Sequence, residues 1–255
     1  MPLAADLALA LDPVRLAERA GLTPDPWQRD VLRSQAGRLL LNCSRQSGKS
    51  TITAILATHT ALYEPGALVL LLSPSLRQSQ ELFRKCLDAY RAASRPVPEV
   101  AESALRLELE NGSRIVSLPG KEHTIRGFSG VRLLVVDEAA RVPNDLYLAV
   151  RPMLAVSRGR LALLSTPFGT RGFFYDAWRS GSAEPWERYA VPATDCPRIP
   201  ASFLQEEQRT LGKWWYEQEY RCRFLDAESQ AFRREDIDRA FDEGVETWAL
   251  LSASG

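Results

Sequence analysis

Histidine and lysine are scarce in this chain, and paired cysteines are missing. Two histidines, His59 and His123, stand among 255 residues, and neither lies near a cysteine. The four cysteines, Cys43, Cys86, Cys196 and Cys222, are scattered with no C-x-x-C spacing. That argues against a zinc site and gives no disulfide framework, so free thiols are expected. No apolar run approaches the ~20 residues that a membrane-crossing helix needs. No basic segment followed by a short apolar stretch marks a secretory leader at the N-terminus. A soluble intracellular protein is the expectation. Net charge is missing too, since 32 Lys+Arg balance 32 Asp+Glu. The total therefore points to neither nucleic acid nor a membrane surface. Only four of those cations are lysine. Arginine's planar fork suits bidentate binding of phosphate and carboxylate, so a local basic face can sit inside the neutral total.

What is present is ordinary globular material, 45% hydrophobic and 25% charged, enough for one large core. Residues 1–22 have leucines at helical spacing with a restart at Asp12-Pro13, and "TPDPWQRDVL" (23–32) opens another helix. Short apolar runs follow at 38–42 (RLLLN), 67–75 (ALVLLLSPS), 131–141 (VRLLVVDEAAR) and 159–169 (GRLALLSTPFG), with a fifth candidate strand at 186–192. Helical stretches are expected at 50–62, 76–93, 171–180 and 200–241. Alternation around Asn111-Gly112 in 105–118 predicts a hairpin. Apolar strands alternating with helices predict an α/β fold with a mostly parallel sheet covered on both faces.

Ligands of such sheets sit beyond the carboxyl ends of the strands, and there this chain carries polar motifs. The stretch "NCSRQSGKSTI" (42–52) ends as a phosphate-binding loop but has Cys43 where the G-x-x-x-x-G-K-[ST] pattern has its first glycine. A GKS alone is often an exposed loop. Between a strand and a helix, its N–H groups can hold phosphate oxygens, Lys49 can reach β- and γ-phosphates, and Ser50 can ligate Mg2+. Asp137 and Glu138 end the next apolar run. An acid there can hold magnesium and its neighbour can activate water; two solvated acids are the plainer reading. Ser165 or Thr166 can hydrogen-bond a γ-phosphate or the attacking water, or simply shape a turn. Gln28 can read an adenine edge through its amide, or be an ordinary helix-start glutamine. Charge on a transferring phosphate calls for an arginine, and Arg45, Arg126 and Arg141 are the candidates.

The ordered set "DPWQ", "SRQSGKST", "LLSPS", "IRGFSG", "LLVVDEAA" and "LLSTP" resembles the N-terminal ATPase domain of large terminase subunits of tailed bacteriophages. It covers residues from about 25 to 225, and a first glycine is commonly absent from that family's phosphate loop. The resemblance implies a RecA-like P-loop ATPase with a small helical lid. The core would be residues 1–194, with the lid and the start of a linker at 195–255. It implies a motor that hydrolyses ATP with Mg2+ to move double-stranded DNA into a procapsid. Its partners would be a portal protein and a small terminase subunit, and it would form a homo-oligomeric ring on the portal, in the host cytoplasm and transiently docked on the procapsid. By motif, Gln28, Arg45, Gln46, Ser47, Gly48, Lys49, Ser50, Thr51, Asp137, Ser165 and Thr166 would hold nucleotide, Ser50 and Asp137 the metal. Glu138, Lys49 and Arg45 would act in catalysis, with Arg141 or Arg126 acting across a subunit boundary. Trp214, Trp215, Tyr216 and Tyr220 would pack the lid as helix core. The family's metal-dependent nuclease domain is not expected within these 255 residues. Two other readings stay open. One is a helicase-like, nucleic-acid-stimulated ATPase. The other is a nucleotide-gated assembly module without turnover, against which the water-activating position of Glu138 argues.

Overall fold

The computed structural model describes residues 3–120, 127–180 and 185–226. Eight strands form one sheet: β1 (Arg38–Cys43), β2 (Leu68–Ser73), β3 (Glu99–Glu102), β4 (Arg106–Leu109), β5 (Arg114–Pro119), β6 (Val131–Asp137), β7 (Arg160–Ser165) and β8 (Glu187–Val191). Their spatial order is β3-β4-β5-β2-β6-β7-β1-β8. The six from β5 to β8 run parallel, while β3 and β4 add antiparallel pairs at one edge. The helices are α1 (Leu3–Leu11), α2 (Pro13–Arg19), α3 (Pro26–Arg33), α4 (Lys49–Tyr63), α5 (Leu76–Ala92), α6 (Asn144–Val150), α7 (Gly172–Arg179) and α8 (Ala201–Glu219).

The central strands are apolar on both faces because both faces are covered. In β1, Leu39, Leu41 and Cys43 pack toward α2–α5, while Leu40 packs toward α6 and α7. In β2, Val69 and Leu71 take the first face and Leu68, Leu70 and Leu72 the second. Strands β6 and β7 divide the same way, Leu133 and Val135 against Leu134 and Val136, and Ala162 and Leu164 against Leu161 and Leu163. Each fully buried leucine contributes about 1.5–3 kcal/mol, so these strands supply much of the drive to fold. The small cluster Ala193, Leu204, Tyr216 and Tyr220 stands apart from both.

Local signals set the boundaries. Asp12 accepts a hydrogen bond from Val14 N and caps α2, which makes the expected restart. The hairpin turns at Asn111-Gly112, where Gly112 takes φ +81°. Asn111 Nδ2 also donates to Ala61 O and Leu62 O at the end of α4, fastening the hairpin to that helix. The helix expected over 200–241 is α8 up to Glu219, interrupted by Gly212 at φ 76°, ψ 165°; the part beyond 226 lies outside the described residues. Tyr216 and Tyr220 are buried as expected for helix core, whereas Trp215 is 46% exposed. Among the described residues, no helix is long and apolar enough to cross a membrane, and the four cysteines are unpaired and buried.

Candidate active site

Register brings the motifs to one edge. Asn42 of β1 pairs with Ser165 of β7, and Asp137 of β6 pairs with Leu164. The GKS loop, the paired acids and the Ser-Thr-Pro turn therefore emerge side by side. Gly48 takes φ +89° at the start of α4, a left-handed conformation that favours glycine. A Cβ there would lie 2.8 Å from Gln28 Nε2. Lys49 and Ser50 open α4, so the loop's N–H groups and the helix N-terminus face one space.

The two acids take different partners. Ser50 Oγ lies 2.9 Å from Asp137 Oδ2. Burial pushes the Asp137 carboxyl above the ordinary carboxylate range and the Glu138 charge pushes the same way; Lys49 and the Ser50 hydrogen bond oppose both. Glu138 has φ +50°, uncommon for a side chain that is not glycine. That backbone turn sends Glu138 elsewhere, with Oε1 3.4 Å from Lys49 Nζ and Oε2 3.5 Å from Arg141 Nη1. Thr166 Oγ1 accepts from Lys49 Nζ at 3.4 Å. Ser165 Oγ donates to Thr166 O and sits 3.5 Å from Glu138 Oε2.

A cavity of about 390 Å³ opens above these groups, lined by Arg45, Gln46, Ser47, Gly48, Lys49, Ser50, Thr51, Gln78, Lys85, Glu138 and Arg141. A second, of about 500 Å³, adjoins it across Gly48 and includes Leu22, Asp25, Gln28, Thr51, Pro197 and Arg198. Of the arginine candidates, Arg45 and Arg141 reach the first cavity. Arg126 lies outside the described residues. Gln28 is buried and braces the loop, its Oε1 accepting from Asp25 N and its Nε2 donating to Ser47 O. One N–H and one lone pair of its amide stay unused by these bonds.

The structure adds residues that motif reading missed. Arg198 forks onto Asp25 at 2.8 Å through both terminal nitrogens and also donates to Ser47 O. Glu219, at the end of α8, accepts from Arg45 Nε and sits 3.5 Å from Arg141 Nη2. Glu219 lies in charged, helical sequence and Arg198 in the connection "DCPRIP" before it, where nothing marks either, although Asp25 belongs to the quoted "DPWQ".

A family model described as "Terminase large subunit, T4likevirus-type, N-terminal" matches residues 40–239. The chain belongs to this family. Among curated relatives, a "Terminase, large subunit" of Thermus phage G20c is 28% identical over 189 residues, 66% of this chain and 39% of its own. One of Escherichia phage T5 is 25% identical over 221 residues, 83% of this chain and 50% of its own. This terminase-family chain thus spans half or less of those relatives' lengths. Among solved structures, the large terminase ATPase domain of Thermus phage P74-26 aligns with TM-score 0.72 at 23% identity, over 82% of this chain and 97% of that one. The large terminase of bacteriophage D6E in complex with ADP aligns with TM-score 0.63 at 12% identity, over 82% and 52%. These likenesses show a shared RecA-like fold, the fold class expected from the motif order.

Proposed function

We propose that this chain is the ATPase domain of a phage DNA-packaging motor. It would bind ATP with Mg2+ and hydrolyse it to drive double-stranded DNA into a procapsid. The observation that carries the reading is the division of labour between adjacent acids. Asp137 turns to Ser50 at the head of α4, and Glu138, through its left-handed backbone, turns to Lys49 and the cavity. Family membership and the solved complexes of the D6E terminase with ADP and with ATP-γ-S support it.

The residues fit a magnesium ion. A hydroxyl and a buried carboxylate converge at 2.9 Å, hard oxygen donors of the kind Mg2+ takes, with phosphate oxygens and water completing its shell. Ser50 and Asp137 would hold it, and when bound it would neutralise charge on the β- and γ-phosphates. The protein's own part is positioning. Backbone N–H groups of residues 46–51 cradle the phosphates. Lys49, buried between Thr166 and Glu138, is drawn to the γ-phosphate, which frees the Glu138 carboxylate to orient water and take its proton. Arg45 and Arg141 line the same cavity and can balance equatorial charge. Ser165 and Thr166 join β7 to this cluster and would register loss of the γ-phosphate.

The second cavity would lodge base and ribose, where Gln28's unused N–H and lone pair match the donor and acceptor of an adenine edge. Residues 195–255 are assigned to the lid and the start of a linker, and 1–194 to the core. As a motor it would work as a ring on the portal, with small terminase subunit and DNA as partners and contacts directed at DNA phosphates. The test is phosphate release from Mg–ATP against the variant K49A. Release by the parent chain and none by K49A supports the proposal; equal release by both overturns it.

A further inference from the structure

Glu219 is an acid in an adverse place. It closes α8, where the helix dipole disfavours negative charge, and it is 5% exposed. A buried carboxylate is tolerated only with partners. Its partners are two arginines of the cavity rim. Oε2 accepts from Arg45 Nε, and the Glu219 carbonyl accepts from Arg45 N at 3.3 Å. Oε1 is buried and makes no hydrogen bond; Arg141 Nη2 stands 3.5 Å from it. The Arg141 guanidinium lies over the Phe168 ring, 4.5 Å from its centroid, beside the Ser-Thr-Pro turn. The preceding residue, Gln218, is buried and accepts from Gly169 N at 3.3 Å. The end of α8 thereby touches three of the loops that build the site.

Resting on the ATPase reading above, we propose that Glu219 is a positioning residue that aims Arg45 at the terminal phosphate. It grips the guanidinium through Nε, and among the described residues neither terminal nitrogen of Arg45 has another hydrogen bond, so both are open to an anion. A guanidinium fixed at Nε presents its two terminal nitrogens as a fork suited to two phosphate oxygens. The stem of Arg45 is already anchored by its backbone bond to Glu219, so α8 sets both ends of this side chain. Movement of α8 shifts the arginine relative to the phosphates. Arrival of the γ-phosphate in turn changes the charge that Glu219 feels, and this links nucleotide state to the helix that follows the core.

The test compares the parent chain with E219A, R45A and the double variant, each first checked for a cooperative melt. Dissociation constants for Mg–ADP and Mg–ATP-γ-S are measured, then kcat and KM for ATP. The expected result is that E219A leaves ADP affinity within about threefold but erases most of the preference for ATP-γ-S. It should also lower kcat by about tenfold or more with little change in KM, as misplacement of a charge-stabilising group does. In the R45A background, E219A should add no further loss. Unchanged ATP-γ-S preference and kcat in E219A overturn the proposal while leaving the ATPase reading intact, as do independent, multiplicative losses from E219A and R45A. A parent chain that binds neither nucleotide overturns both.

Discussion

Ser50 Oγ and Asp137 Oδ2 meet at 2.9 Å although 87 positions separate them in the chain. The contact joins the head of α4 to the end of β6 and gives a buried carboxylate a hydroxyl donor beside the backbone N–H of Glu138. S50A removes that donor and a proposed metal ligand together. Magnesium titrated at fixed ATP-γ-S should then show apparent affinity weaker by about tenfold or more. An unchanged titration would remove Ser50 from the metal site. In D137N the buried negative charge is gone. Without metal or nucleotide that variant should melt higher than the parent chain, and the stabilisation by Mg–ATP-γ-S should vanish.

Glycine at position 48 is required twice over. Alanine there meets a left-handed φ, which costs about 1–2 kcal/mol, and its Cβ comes within 2.8 Å of Gln28 Nε2. G48A should lower the unfolding free energy by at least that left-handed penalty and abolish stabilisation by ATP-γ-S. Urea melts with and without nucleotide check both parts.

Ser47 O accepts from Gln28 Nε2 and from Arg198 Nη2, each at 3.1 Å. Arg198 also satisfies Asp25, which is 8% exposed. Removing Arg198 leaves that carboxylate uncompensated, so R198A should cost about 1–3 kcal/mol. Adding D25N to R198A should recover part of the loss, because the orphaned charge goes with it. Equal stability of the single and double variants in urea would show that Asp25 is solvated without its arginine.

The pH response of the N-terminal helices follows from His59. Its Nε2 lies 3.0 Å from Leu9 O, an acceptor that the neutral ring satisfies with Nε2–H. Burial lowers its pKa below 6.5, against smaller upward pulls from its backbone hydrogen bonds, Glu64 and Asp12. The unfolded chain therefore takes up this proton first. The stability it gives is complete above pH 6.5 and is lost as pH falls from there through the folded value. Melting temperature should drop between pH 7 and 5.5 in the parent chain, and hydrogen exchange of α1 should rise. H59Q should show a flatter response over that window.

The sheet was legible in the sequence where burial on both faces left no alternation to interpret. β1, β2, β6 and β7 read as plain apolar runs, and each ends in the polar motif that the structure places at the site edge. β3 gave no such signal, since "EVAE" is an exposed edge strand with acids at both ends. α6 is seven residues long and is flanked by single 3-10 turns, too short to establish a period. The GKS loop and the acid pair needed only local order. Glu219 and Arg198 needed the fold itself, because their partners lie 174 and 173 positions away. Gln28 was visible as a candidate for adenine, while its brace on Ser47 O became visible only with the loop in place.

The central claim is that Glu138 activates water at a site built to hold ATP. The most direct measurement is Mg–ATP hydrolysis by E138Q alongside its affinity for ATP-γ-S. The amide keeps the size of the carboxylate but cannot take a proton at neutral pH. Turnover should fall by about 100-fold or more, with ATP-γ-S affinity kept within about threefold because the loop, Lys49 and Ser50 are untouched. Turnover at the parent rate in E138Q would contradict the account and move the water-activating group elsewhere.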